Sequence, residues 1–420
     1  MLPRLQLFVA AVLLSAGVAR ADVLAGDFSA DPRTSAGWTY TGPANTGWSA
    51  EEGGSITAAF DRAGGGQAWR SPPFPVVPAG YYRVAFRSQA ASPGYAATLF
   101  AGPAGTWGSV PNSTELLADD VTGVPVSTAW VDNAYCFRAA PNATTASLVF
   151  RANGAPLRVS AVRVVPAARG SAEVADWHDA VYATMAPVAF APDPARFARL
   201  PRTAAALRSG GPITVVLLGD SIMNDAAQST FETLLERAHP GTQVAVVAAV
   251  GANAGMAAWN PDAATHRPGL DLQGAVIDRR PDLVLIGGVS NAGQYADTGH
   301  VVDLVRRGVT ARFGFAPDVA LLTGTLPMTQ NPAAPIHSWY PTISPAGRDY
   351  RANLYRLAQQ QQTGFFDLTG AWGQYMVAAQ HGFDRPTYNG YFRDTMHFNT
   401  RGKEVLARIL AAYLSPEPER

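Results

Sequence analysis

From Pro212 onward, short and almost uninterrupted apolar runs alternate with stretches of helical periodicity, and nothing else in the chain constrains the fold as much. Ile213 to Leu218, Gln243 to Val250, Leu283 to Ile286, Val319 to Leu322 and Gly364 to Asp367 read as strands. Helices are expected near Ala226 to Ala238, Leu270 to Asp278, Val301 to Phe313, Arg348 to Gln360 and Thr400 to Leu414, with a Pro-rich loop from Pro327 to Pro345. Strands that are apolar on both faces need cover on both sides, which means a parallel sheet with helices above and below. Ligands of such sheets sit at the carboxyl ends of the strands. The residues that end each strand are therefore where chemistry is to be sought.

The first half of the chain is built differently. Between Asp22 and Pro166 the period is two. Tyr81 to Arg87, Ala146 to Arg151 and Leu157 to Val164 alternate apolar and polar residues, with Gly, Pro, Asn and Asp between them. That pattern predicts an all-β sandwich of jelly-roll type over 22–166. Its indoles, Trp38, Trp48, Trp69, Trp107 and Trp130, either stack on sugar rings, as in carbohydrate-binding modules of similar architecture, or fill the core. Residues 167–211 read as a helical connector, with helices from Ala172 to Met185 and from Pro194 to Ser209.

The first 21 residues read as an export signal: Arg4, an apolar stretch from Leu5 to Val18, and Ala19-Arg20-Ala21 before Asp22. The expected location is secreted or periplasmic, with no membrane span in the mature protein. A charged fraction of 15% beside 47% hydrophobic residues suits a folded chain, and a formal net charge of zero gives no field that favours nucleic acid. Cys136 is the single cysteine, so no internal disulfide can form. Asn112-Ser113-Thr114 and Asn142-Ala143-Thr144 are glycosylation sequons. His178, His239, His266, His300, His337 and His381 show no metal-ligand spacing, and Gly64-Gly65-Gly66 lacks the Lys-Ser/Thr of a phosphate loop. No metal and no cofactor are expected.

Four short motifs fall at the predicted carboxyl edge. The first strand ends in Gly219-Asp220-Ser221, which presents a hydroxyl where a helix begins and where unpaired N–H groups favour negative charge; an ordinary helix cap is the plainer alternative. Asp394-Thr395-Met396-His397 can place a carboxylate and an imidazole on one turn, the orienting acid and base that a nucleophilic serine needs, or it is a surface turn. Gly287-Gly288-Val289-Ser290-Asn291 can aim an amide at an oxyanion, or Asn291 closes a turn. Gly251-Ala252-Asn253-Ala254-Gly255 offers a glycine N–H as a further donor. The loop with His337, Trp339 and Tyr340 is either a wall of the substrate site or a packed surface loop.

In this order on an α/β chain, the four motifs resemble the SGNH hydrolase family, the GDSL esterases and lipases, over 212–420. The resemblance implies a flavodoxin-like three-layer αβα fold without a Gly-x-Ser-x-Gly elbow. It implies Ser221 as nucleophile, His397 as base and Asp394 as its partner. The Ser221 N–H, Gly255 (with Gly251 as the alternative) and Asn291 would form the oxyanion hole, and Asp220 would be structural. The chain departs from the family where Gly-Ala-Asn-Ala-Gly-Met replaces Gly-x-Ser-Gly-x-Thr, and where an extra residue separates Gly288 from Asn291. The expected function is an exported serine esterase that removes O-acetyl groups from a polysaccharide, the substrate being suggested by the pairing with a sandwich rich in aromatics. A lipase or thioesterase, an O-acetyltransferase and an inert carbohydrate-binding protein are the alternatives. The sequence leaves oligomeric state open.

Overall fold

The computed structural model describes residues 21–43, 46–61, 65–92, 94–101, 113–116, 124–141, 143–152, 154–288, 293–325, 350–379, 391–392 and 397–416. Its second half is organised on a five-stranded parallel sheet. Across the sheet the strands run Gln243–Val250, Pro212–Gly219, Leu283–Gly287, Asp318–Leu322, Gly364–Phe366. The second strand in sequence thus lies beside the first at one edge, and the third, fourth and fifth follow on the other side, the flavodoxin order. Register aligns Val250, Gly219 and Gly287 in one row, and the row continues through Leu322 and Phe366. Every chain segment that leaves this row enters the same edge.

Alternation along the central strand decides the layers. Val215 and Leu217 pack against the helices Ser221–Gln228, Phe231–Ala238, Leu368–Ala379 and Thr400–Leu414. Val216 and Leu218 point the other way, towards Met256–Trp259, Leu272–Ala275, Tyr295–Phe313 and Tyr350–Gln360. All four side chains are at most 1% exposed, and each such burial is worth about 1.5–3 kcal/mol. This is the three-layer αβα arrangement that the apolar runs predicted.

The first half is a sandwich of two antiparallel sheets. One holds Trp48–Ser49, Ser55–Ala58, Leu157–Ala167, Tyr81–Ala90 and Ser127–Arg138, with Leu24–Gly26 paired to Leu157–Ala167. The other holds Thr39–Tyr40, Ala68–Arg70, Thr145–Ala152, Gly94–Ala101 and Ser113–Leu116, with Phe74–Pro75 paired to Thr145–Ala152. Val84 and Phe86 from the first meet Phe100, Leu148 and Phe150 from the second in one core. Trp38 and Trp69 are fully buried there, and Trp48 packs on its margin with Nε1 donating to the Phe28 carbonyl at 3.0 Å. Trp130 is half-buried, with the Arg87 and Arg158 guanidiniums 5.6 and 5.1 Å from its ring centre. Core filling accounts for Trp38 and Trp69. Trp107 and both sequon asparagines lie outside the described residues.

The halves meet through buried charge. Arg138, from the end of Ser127–Arg138, lies 2.8 Å from the Glu232 carboxylate, with both side chains at most 2% exposed. Tyr81 Oη donates to the same carboxylate at 2.6 Å, and Arg138 also donates to the Ala227 carbonyl. Beside them Cys136, Tyr81 and Val174 form a small apolar cluster that seats the connector helix Ala172–Ala183.

Several helices differ from expectation, each for a local reason. The predicted helix from Ala226 to Ala238 is two, Ser221–Gln228 and Phe231–Ala238. Between them Ser229 turns extended and its hydroxyl donates to the Ala226 carbonyl at 2.7 Å, a side chain competing with the helical ladder. The predicted helix from Pro194 breaks into a 3-10 turn, Pro194–Arg199, and a helix, Pro201–Ser209, because Pro201 has no N–H and its ring excludes the preceding turn. Leu270 to Asp278 holds only one short helix, Leu272–Ala275, and a 3-10 turn. Leu368–Ala379, apolar on most sides, was not expected at all.

Candidate active site

Ser221 occupies the first position of its helix, directly beyond the strand end at Gly219. The strand can approach its neighbour this closely because Gly219 has no side chain: a Cβ there would lie 2.1 Å from the Gly287 carbonyl oxygen. Asp220 is the helix cap. It is 1% exposed, and its Oδ1 accepts the Ile222 N–H at 2.9 Å. Its carboxylate lies against Gly288, where a Cβ would come within 2.3–2.6 Å of it and where φ is +113°. The Asp220 carboxylate is thus wedged between the start of its own helix and the residue that follows the Leu283–Gly287 strand. The N–H of Ser221, by contrast, has no hydrogen-bond partner among the described residues.

The loop after Val250 is pinned to the same spot. The Gly251 N–H donates to the Gly219 carbonyl at 2.9 Å, and Trp259 Nε1 reaches that oxygen at 3.3 Å. Gly251 thus extends the sheet ladder, and its N–H is engaged. Gly255 caps the short helix Met256–Trp259 in an extended conformation, and its N–H has no partner among the described residues. Gln294 Oε1 accepts the Ala257 N–H at 2.8 Å and Asp297 accepts from Asn260 Nδ2 at 2.7 Å, so this loop is also tied to the segment that follows the Gly287 strand.

His397 is half-buried between two fixed points. Phe392 and Phe398 form an isolated antiparallel bridge, and the Asn399 N–H donates to the Tyr391 carbonyl at 3.0 Å. Asn399 caps Thr400–Leu414 by accepting the Gly402 N–H at 3.0 Å. The connection to the Ser221 helix is made by Asp225, whose Oδ2 accepts the Phe398 N–H at 2.8 Å. Asp225 went unremarked in the sequence. Its signal was its position, four residues after Ser221 and hence on the same helical face.

Ser221, Gly251, Gly255 and the segment carrying His397 therefore converge on one edge of the sheet. Asp394 and Asn291 lie outside the described residues, as does the loop with His337, Trp339 and Tyr340. Among the described residues no cluster of three or more His, Cys, Asp or Glu could hold a metal. No helix of the described residues is long and apolar enough to cross a membrane.

No family model matches the chain, and no curated protein matches it. Solved structures do. A two-domain esterase active on acetylated mannans is 13% identical with a TM-score of 0.38, over 53% of this chain and 54% of that one. A protein named as a candidate SGNH hydrolase, from Slackia heliotrinireducens, is 15% identical with a TM-score of 0.32, over 49% of this chain and 100% of that one. A salicylyl acyltransferase from a tetracycline biosynthetic pathway is 13% identical with a TM-score of 0.30, over 89% of this chain and 92% of that one. One of these neighbours carries the name of the family that the motifs resemble. The fold itself stands on the strand order and on the residues at the sheet's carboxyl edge.

Proposed function

We propose that this protein is a serine ester hydrolase that works through an acyl-enzyme on Ser221. The observation that carries this is the seat of Ser221: a hydroxyl at the first position of a helix, at the carboxyl edge of a parallel sheet, with its own N–H unpartnered among the described residues and the His397 segment bonded to the same helix. His397 would take the Ser221 proton as the oxygen attacks the ester carbonyl, and return it to the leaving alcohol. Asp394 would hold the imidazole in the required tautomer. The tetrahedral oxyanion would be met by the Ser221 and Gly255 N–H groups and the Asn291 amide. Gly255 is favoured over Gly251 because the Gly251 N–H already serves the Gly219 carbonyl. Water then attacks the acyl-enzyme by the same proton path in reverse.

The substrate we propose is an O-acetylated polysaccharide met outside the cytoplasm. The export signal read in the first residues and the attached sandwich support it. Turnover of nitrophenyl acetate by the wild type beside Ser221→Ala tests the chemistry, and equal rates would end the proposal. Acetate release from acetylated xylan, pectin or exopolysaccharide tests the substrate. Cleavage of medium- or long-chain acyl esters alone would refute the polysaccharide, and transfer of the acyl group to an added sugar would replace hydrolysis by acyl transfer.

A further inference from the structure

We infer that Asp225 is a positioning residue for His397, resting on the ester-hydrolase chemistry proposed above. Ser221 and Asp225 stand one helical turn apart, about 6 Å along the axis, and share a face. Asp225 is 0% exposed, so its carboxylate has left water and must be compensated by hydrogen bonds. One of these is the 2.8 Å bond from the Phe398 N–H, a charge-assisted bond to the residue directly after His397.

The far side of that bond is rigid. Phe398 is fully buried, its ring 4.7 Å from Trp372 and 5.2 Å from Phe392. Asn399 is held at both its N–H and its side chain. The near side is the helix that carries Ser221. Asp225 therefore ties the backbone beside His397 to the helix of Ser221, so that the base and the nucleophile are carried on one connected frame. Substrate affinity does not depend on the distance from base to nucleophile, whereas proton transfer in the transition state does.

Nitrophenyl acetate kinetics on Asp225→Ala and Asp225→Asn test this. The alanine variant is expected to lose about 10–100-fold in kcat with KM nearly unchanged. Asparagine keeps an acceptor oxygen for the Phe398 N–H and is expected to recover most of the loss. A residue that merely stabilised the fold would lower Tm in both variants and leave the kcat of folded enzyme alone, and an alanine variant with wild-type kcat overturns the inference. Should Asp225→Ala fail to fold, Asp225→Glu carries the test: it keeps the acceptor but is one methylene longer, so kcat must still fall, and a wild-type kcat refutes the role. Wild-type activity that Ser221→Ala leaves intact would instead refute the ester-hydrolase chemistry, so the two failures are distinguishable.

Discussion

Arg138 of the sandwich donates to the backbone carbonyl of Ala227, in the last turn of the helix that Ser221 begins, and its guanidinium also faces Glu232 at 2.8 Å. A cation at that end suits the helix dipole. Removing one member of a buried pair strands the other charge. Arg138→Met or Glu232→Gln alone is expected to destabilise by about 3–5 kcal/mol, read from urea midpoints. Replacing both by apolar residues of similar volume should recover most of the loss.

Gly288 should accept no side chain. A Cβ would meet the Asp220 carboxylate at 2.3–2.6 Å, and φ of +113° is strained for any other residue. Gly288→Ala is expected to lower Tm and to cut esterase turnover, because relief of the clash moves Asp220 and with it the helix cap beside Ser221. A variant with wild-type Tm and turnover would mean that the strand ends can separate freely.

Acid should weaken the junction where Thr400–Leu414 meets the connector helix. Burial acts to raise the pKa of Glu404, but His178 at 2.5 Å and Arg408 outweigh it and hold the carboxyl below its usual 4.5. A group depressed on folding stabilises fully above its unfolded pKa, and that share is lost as pH falls through the folded value. The stability gap between wild type and Glu404→Gln, from urea unfolding, is therefore expected to be largest near neutrality and to shrink below pH 4.5. A gap constant with pH would show that the ion pair contributes nothing.

Cys136 should be inert in the native protein. It is 2% exposed, and burial, with Glu173 adding to it, pushes its thiol up to about 12. A chromogenic disulfide reagent is expected to label it only after denaturation, at one equivalent per chain.

The sheet was legible in the sequence because both its faces are buried, which leaves no polar interruption in Val215 to Leu218 or Leu283 to Ile286. Thr400–Leu414 was legible for a related reason: Asn399 announces its start. The break at Ser229 was not, since an apolar period runs through it and only the hydroxyl's bond to Ala226 shows why the helix stops. Leu368–Ala379 was missed because a helix buried nearly all round has little periodicity to read. At the site, the seat of Ser221 was legible from Gly219 and Asp220. The role of Asp225 was not, because its partner at Phe398 is distant in sequence and the bond uses a backbone N–H, which no residue type advertises. That the Gly251 N–H is already engaged was not legible either, since only the sheet ladder shows its bond to the Gly219 carbonyl.

The buried cluster of Arg138, Tyr81 and Glu232 has a bearing on how the chain is made. Synthesis proceeds from the N-terminus, so the sandwich emerges with Arg138 and Tyr81 before Glu232 exists. Until the second half docks, that end of the sandwich must keep a guanidinium and a phenol hydrated on a surface meant to be dry. The nascent sandwich is thus a half-finished object that waits for its neighbour. A ribosome pause or a truncation after Ala167 would also strip Val174 from the apolar flanks of Tyr81 and Cys136, so that half expressed alone should aggregate more readily than the whole chain.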